Sequence, residues 1–205
     1  MDVLRPEFFR RLDERPDALF YRRPRHTSHL DETAMTFLCD AYDALLPKDG
    51  AVLDLMAGVR SHLCERYPHV TGLGLNADEL HANDRVDEAV VFDLNVHAEL
   101  PFESGRFDAA VCSVSVQYMV RPLDTFASVA RALRPDAPFA VAISSRMFEQ
   151  KAVLAWRASD DAAHERLVRT YFEASRAFGE VTVERHAPAN GDPVTILWAR
   201  TRQPS

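Results

Sequence analysis

The chain has 205 residues, 47% hydrophobic and 27% charged, enough for one substantial core of an ordinary globular domain. Its formal net charge of −7 argues against nucleic acid as a partner, because binding along a phosphate backbone calls for a dominant basic face. No window approaches the roughly 18 apolar residues of a membrane span, so no membrane partner is expected.

Residues 1–29 cluster arginines (Arg10, Arg11, Arg22, Arg23, Arg25) among Phe8, Phe9, Phe20 and Tyr21, with prolines at 6, 16 and 24. This pattern reads as an N-terminal extension, or lid, folded onto the body. From Leu30 to Leu45 apolar residues recur at helical spacing, and Ser28 with Asp31 forms a capping-box-like start. The runs AVLDL, HVTGLGL, EAVVFDL, DAAVCSVSV and FAVAISS then suit strands buried on both faces. Helical patterns at roughly 60–67, 77–83 and 123–133 separate them, which implies parallel pairing through βαβ crossovers. Residues 147–178 look helical with a break near 159–161, the region 146–178 forming a helical insertion. EVTVERHA and PVTILWAR flank the turn-rich PANGD as an antiparallel hairpin.

The three cysteines, Cys39, Cys64 and Cys112, lie scattered in apolar stretches, as expected of buried thiols in a reducing cytoplasm rather than of a disulfide framework. The charge-interrupted N-terminus has no signal-peptide pattern. His62, Cys64 and His69 straddle a predicted helix without a four-ligand pattern, so no metal site is expected.

VLDLMAG, VTGLGLNADEL, VVFDLN, LPFESGRFDAAVCSVSVQYM and RALRP stand in the order and at the spacing of the motifs of class I S-adenosylmethionine-dependent methyltransferases. The chain resembles the small-molecule, type 11-like branch of that family over roughly 45–145. The resemblance implies one domain over 1–205, a Rossmann-like, doubly wound α/β sheet of seven strands closed by the C-terminal hairpin, and S-adenosylmethionine as cofactor. In such a sheet the ligand lies beyond the carboxyl ends of the strands. By the same resemblance Asp54 helps hold the methionine ammonium group, Gly58 is the central turn glycine, and Asp93 with the Leu94 amide meets the adenine. The chain departs from the family at Met56 and Arg60, where the first and last turn glycines usually stand, and at Gly74, where an acid usually binds both ribose hydroxyls. Arg60 reads best as the opening of the following helix, and Met56 packs against the adenosine or into the core. Asn76 either reaches toward the ribose, its amide offering donor and acceptor, or caps the helix at Ala77.

The acceptor site implied by the resemblance lies above the fourth strand, near Ser113, Ser115, Gln117 and Tyr118, with Ser113 also beside the cofactor and Val114 and Val116 in the core. Methyl transfer needs alignment, exclusion of water and sometimes removal of a proton. Tyr118 and His29 are the candidate catalytic groups, His26 and His62 being weighed beside His29 because imidazole titrates near neutrality. Tyr21, Arg25, Gln117 and Arg146 are candidate substrate residues, with Met147, Phe148, Trp156 and Tyr171 as further wall. Arg22, Arg23 and Arg25 either clamp an anionic small molecule or form a solvated basic face. Two functions fit: methyl transfer to a small molecule, or a non-catalytic methyltransferase-like binding or regulatory role.

Overall fold

The computed structural model describes residues 4–25 and 30–202. Each apolar run becomes a strand: β1 (Ala51–Leu55), β2 (His69–Gly74), β3 (Glu88–Val91), β4 (Ala109–Ser113), β5 (Pro138–Ser144), β6 (Thr182–His186) and β7 (Val194–Arg200). They form one sheet in the order β3-β2-β1-β4-β5-β7-β6. β1 to β5 pair in parallel, while β7 runs antiparallel to both β5 and β6. The expected seven-stranded α/β sheet with its closing hairpin is therefore present. β1, β4 and β5 are central and almost wholly buried, whereas the edge strands β3 and β6 are partly exposed.

Short helices α1 (Asp17–Phe20) and α3 (Ala77–Ala82), and the longer α2 (Glu32–Leu45), α4 (Pro122–Ala132) and α6 (Asp161–Ser175), flank the sheet, with α5 (Leu154–Arg157) between β5 and α6. The sheet separates two cores. On one side Ala34, Leu38 and Tyr42 of α2 pack on Val52, Val70, Val111 and Ile196. On the other, Phe126 of α4, Phe172 of α6, Phe139 and Phe178 make a cluster of edge-to-face and tilted ring pairs with centroids 4.9–6.4 Å apart, an arrangement that adds to the burial of large apolar rings.

Several expectations need correction. No helix forms over 60–67: the link 56–68 from β1 to β2 is irregular, and Arg60 is an exposed loop residue, not a helix opener. Hydrogen bonds explain this, because Ser61 is turned back to donate to the buried Asp54 carboxylate, a bond that competes with helix formation. The stretch 146–153 is likewise irregular, and α6 starts after the predicted break, where Asp160 Oδ1 accepts from Ala163 N at 2.8 Å. α2 is capped by Asp31, whose Oδ1 accepts from Ala34 N at 2.9 Å; Ser28 lies outside the described residues. Cys39 and Cys64 are joined as a disulfide with Cα atoms 5.2 Å apart rather than standing as separate thiols; Cys112 is free and buried. Among the described residues no helix is long and apolar enough to cross a membrane.

Candidate functional site

A cavity of about 410 Å³ opens at the carboxyl ends of β1, β2 and β4, the position where neighbouring loops of an open parallel sheet part. The loop after β1 supplies Met56 and Gly58, β2 and its turn supply Gly74 and Asn76, the segment after β3 supplies Asp93 and Leu94, and β4 ends in Ser113. Asp54, at the end of β1, also faces it. All eight positions expected around a cofactor thus line one cavity. Tyr21 and Arg25 from the N-terminal segment and Arg146 after β5 close it from above.

Asp54 is 4% exposed, and burial raises its carboxyl pKa to about 6, the Ser61 hydroxyl bond offsetting only part of the shift. Asn83, at the end of α3, donates to Ser61 Oγ at 3.0 Å and to Gly58 O at 2.9 Å, so the turn is held by side chains from both ends. Met56 and Val114 adopt left-handed backbone, with φ of 58° and 46°. Such strain in residues with side chains costs on the order of 1–3 kcal/mol and gathers at functional sites; both residues face the cavity. Met56 stands where glycine, which takes this conformation freely, is usual in the family.

Gly74 is closed by backbone. A Cβ there would collide with the carbonyl oxygen of Ala57, a residue whose N–H donates to Leu73 O at 2.8 Å. Asn76 takes the capping role: its Oδ1 accepts from Glu79 N at 3.0 Å, while its Nδ2 donates to Tyr21 O at 2.8 Å and Arg22 O at 3.4 Å. The residue therefore ties the N-terminal segment to α3.

Above these positions stands an aromatic chamber. The Arg25 guanidinium lies over the rings of Phe20, Phe148 and Tyr21, 4.5, 4.8 and 5.2 Å from their centroids. It donates through Nη2 to Phe20 O at 3.2 Å, leaving Nη1 buried without a partner among the described residues. Tyr118 stacks on Phe148 and its hydroxyl accepts from Phe148 N at 2.8 Å; burial pushes its phenol upward, away from the range of a base at neutral pH. Arg146 pairs through Nε with Asp192 at 2.8 Å.

Gln117 does not line the cavity. It is fully buried and donates to Val114 O at 2.9 Å and Arg146 O at 3.3 Å, while Val114 is buried in the core as expected and also borders the cavity. Trp156 and Tyr171 are buried in the core. Of the histidines weighed as bases, His62 lines the cavity, whereas His26 and His29 lie outside the described residues. Sequence reasoning missed Asp17, Glu79 and Asn95. For Glu79 and Asn95 the only signal was a polar residue within a motif, too common to select them, and Asp17 lies in no motif.

The sheet order, the reversed seventh strand and a cavity over the motif loops define a class of protein: the class I S-adenosylmethionine-dependent methyltransferase architecture. Residues 55–141 match the family described as "Methyltransferase domain". Over 81 residues it is 35% identical to the biotin biosynthesis bifunctional protein BioHC of Teredinibacter turnerae, an alignment spanning 38% of this chain and 14% of that protein's length. Among solved structures, it is similar to 1,6-didemethyltoxoflavin-N1-methyltransferase of Burkholderia thailandensis with bound 1,6-didemethyltoxoflavin and S-adenosylhomocysteine (TM-score 0.59, 20% identity, 84% of this chain and 80% of that one). It is also similar to the cyclase SpnF (TM-score 0.57, 15% identity, 82% of each chain). At these identities the likeness is one of fold.

Proposed function

We propose that this protein transfers a methyl group from S-adenosylmethionine to a small molecule. The carrying observation is the convergence of Asp54, Gly58 and Asp93, from three separate motifs, on a single cavity. The donor set fits the cofactor: a buried carboxylate at Asp54 with a hydroxyl as its hydrogen-bond partner is suited to an ammonium group, and Asp93 with the Leu94 amide offers an acceptor and a donor for adenine. S-adenosylmethionine supplies an electrophilic methyl group when bound. The protein's part is to align the acceptor behind that group and keep water out. Tyr118, Phe148 and Tyr21 form the wall for the acceptor, and His62 is the histidine that lines the cavity among the described residues. Arg25, with an unused donor in an aromatic setting, suits a flat or apolar acceptor bearing an anionic group. The net negative charge favours a small molecule over nucleic acid. In a reducing cytoplasm, the compartment expected from the sequence, the Cys39–Cys64 pair would stand as two thiols.

Calorimetry with S-adenosylhomocysteine tests the reading, and absence of binding at millimolar ligand would overturn it. Asp93→Ala is expected to lower the affinity about tenfold, the equivalent of one hydrogen bond to a charged group, while exposed Asp78→Ala leaves it unchanged. Equal affinities for Asp93→Ala and wild type would displace the adenine from this position.

Asp54 gives a pH signature. Its folded pKa of about 6 lies above the ordinary carboxylate value, so in the free protein its contribution to stability is fully present below about pH 4 and is lost as pH rises through 6. Binding a cation requires the ionised form. Affinity for S-adenosylhomocysteine should therefore be flat above neutrality and fall below pH 6, approaching about tenfold per pH unit, with proton release on binding near pH 6. Asp54→Asn should bind more weakly at pH 8 and lose the dependence; a retained slope would assign it to another group.

The fold also serves the cyclase SpnF, and Gly74 carries no ribose acid. A binding role without methyl transfer is the second reading, and binding of the cofactor without turnover of any acceptor would favour it.

A further inference from the structure

We propose that Glu79 supplies the carboxylate for the ribose hydroxyls of the cofactor, replacing the missing acid at the end of β2; the proposal rests on the cofactor reading above. Two obvious positions are closed. Gly74 has the Ala57 carbonyl where a side chain would begin, and the Asn76 amide is spent on the α3 cap and on the carbonyls of Tyr21 and Arg22. Glu79 is the third residue of α3, the place from which a glutamate often reaches back to the backbone N–H of the capping residue. Here it does not. Its Oε1 accepts from Arg25 N at 2.7 Å, and Oε2 rests on the turn glycine, 3.2 Å from where a Cβ of Gly58 would stand. Glu79 lines the cavity, and Oε2 has no hydrogen-bond partner among the described residues.

A vicinal diol is matched by a carboxylate because both hydroxyls donate to two oxygens of fixed spacing, and each oxygen has more than one lone-pair site. Oε1 can thus take a hydroxyl as well as the Arg25 amide. The ligand's ribose and the N-terminal segment would then share one carboxylate, coupling cofactor binding to closure of that segment.

The test is calorimetry of wild type and Glu79→Gln with S-adenosylhomocysteine and with its 2′,3′-dideoxy analogue, by competition where binding is weak. Glu79→Gln is expected to lose about tenfold or more in affinity for S-adenosylhomocysteine and to bind the dideoxy analogue as wild type does. Equal losses for both ligands would make Glu79 a support of the N-terminal segment only, and no loss for either would remove it from the site; both results overturn the proposal. Wild-type protein that binds neither ligand overturns the cofactor reading itself, and this proposal with it.

Discussion

Asp17→Ala is expected to destabilise the fold by about 3–5 kcal/mol, the usual consequence of removing one partner from a buried ion pair. Asp17 is 4% exposed and its partners Arg11 and Lys151 are 7% and 0% exposed. Its two oxygens accept from Arg11 Nη1 at 2.7 Å each, Lys151 Nζ stands 2.9 Å from Oδ1, and Asn95 Nδ2 donates at 2.7 Å. Burial alone would push this carboxyl upward; the bonds from Asn95, Arg11 and Lys151 prevail and hold it below its ordinary value. Its stabilisation is therefore present above the unfolded carboxylate pKa and is lost as pH falls through the lower folded value. Removing the carboxylate leaves Lys151 with the carbonyls of Asp13 and Arg15 and a longer ion pair to the Asp13 carboxylate at 3.8 Å, a weaker set of partners for a fully buried charge. Urea unfolding measures the loss, and Asp17→Ala combined with Lys151→Met should recover much of it, since an apolar replacement of the whole pair removes the orphaned charge. An unchanged midpoint for Asp17→Ala would mean that water reaches this cluster freely. Because Asn95 also donates to Tyr118 O and accepts from Val120 N, the variant should bind S-adenosylhomocysteine more weakly too.

Gly74→Asp installs the residue that relatives usually carry, yet it should abolish cofactor binding rather than improve it. Its Cβ would collide with the Ala57 carbonyl oxygen, and backbone cannot swing aside as a side-chain tip does. The turn is pinned by Ala57 N to Leu73 O and already contains Met56 in a left-handed conformation, so the displacement falls on the residues under the cofactor. Overpacking of this kind costs about 1–3 kcal/mol of stability. Gly74→Ala, with the same Cβ and no charge, should reproduce the effect, which assigns it to space rather than to electrostatics. Wild-type or tighter binding by Gly74→Asp would mean that the turn shifts without cost.

The central strands were legible because burial on both faces leaves short apolar runs whose ends coincide with Gly, Asp and Pro. The residues that converge on the cavity were legible because motif order survives even where individual glycines do not. Local hydrogen bonding defeated the pattern at 60–67, where apolar residues such as Leu63 are buried but Ser61 serves the Asp54 carboxylate instead of a helix. After a left-handed step at Val114 the chain buries Gln117 completely instead of placing it at the acceptor, which strand alternation cannot foresee. The Asp17–Lys151 pair joins the N-terminal segment to the region after β5. Nothing in local sequence links two such distant charges, and each alone reads as a solvated residue.

The irregular link after β1 bears on how this chain tolerates Met56 and Arg60. A turn that opens a helix must deliver backbone N–H groups in a set order, and glycines make that delivery easy. Here the turn is a suspended span, hung from Asp54 through Ser61 at one end and from α3 through Asn83 at the other. Its shape is inherited from side chains that lie outside the motif. Freed from starting a helix, the span keeps glycine only at 58, the position pressed against Glu79, and the identity of its other residues becomes a matter of what the cavity needs to touch.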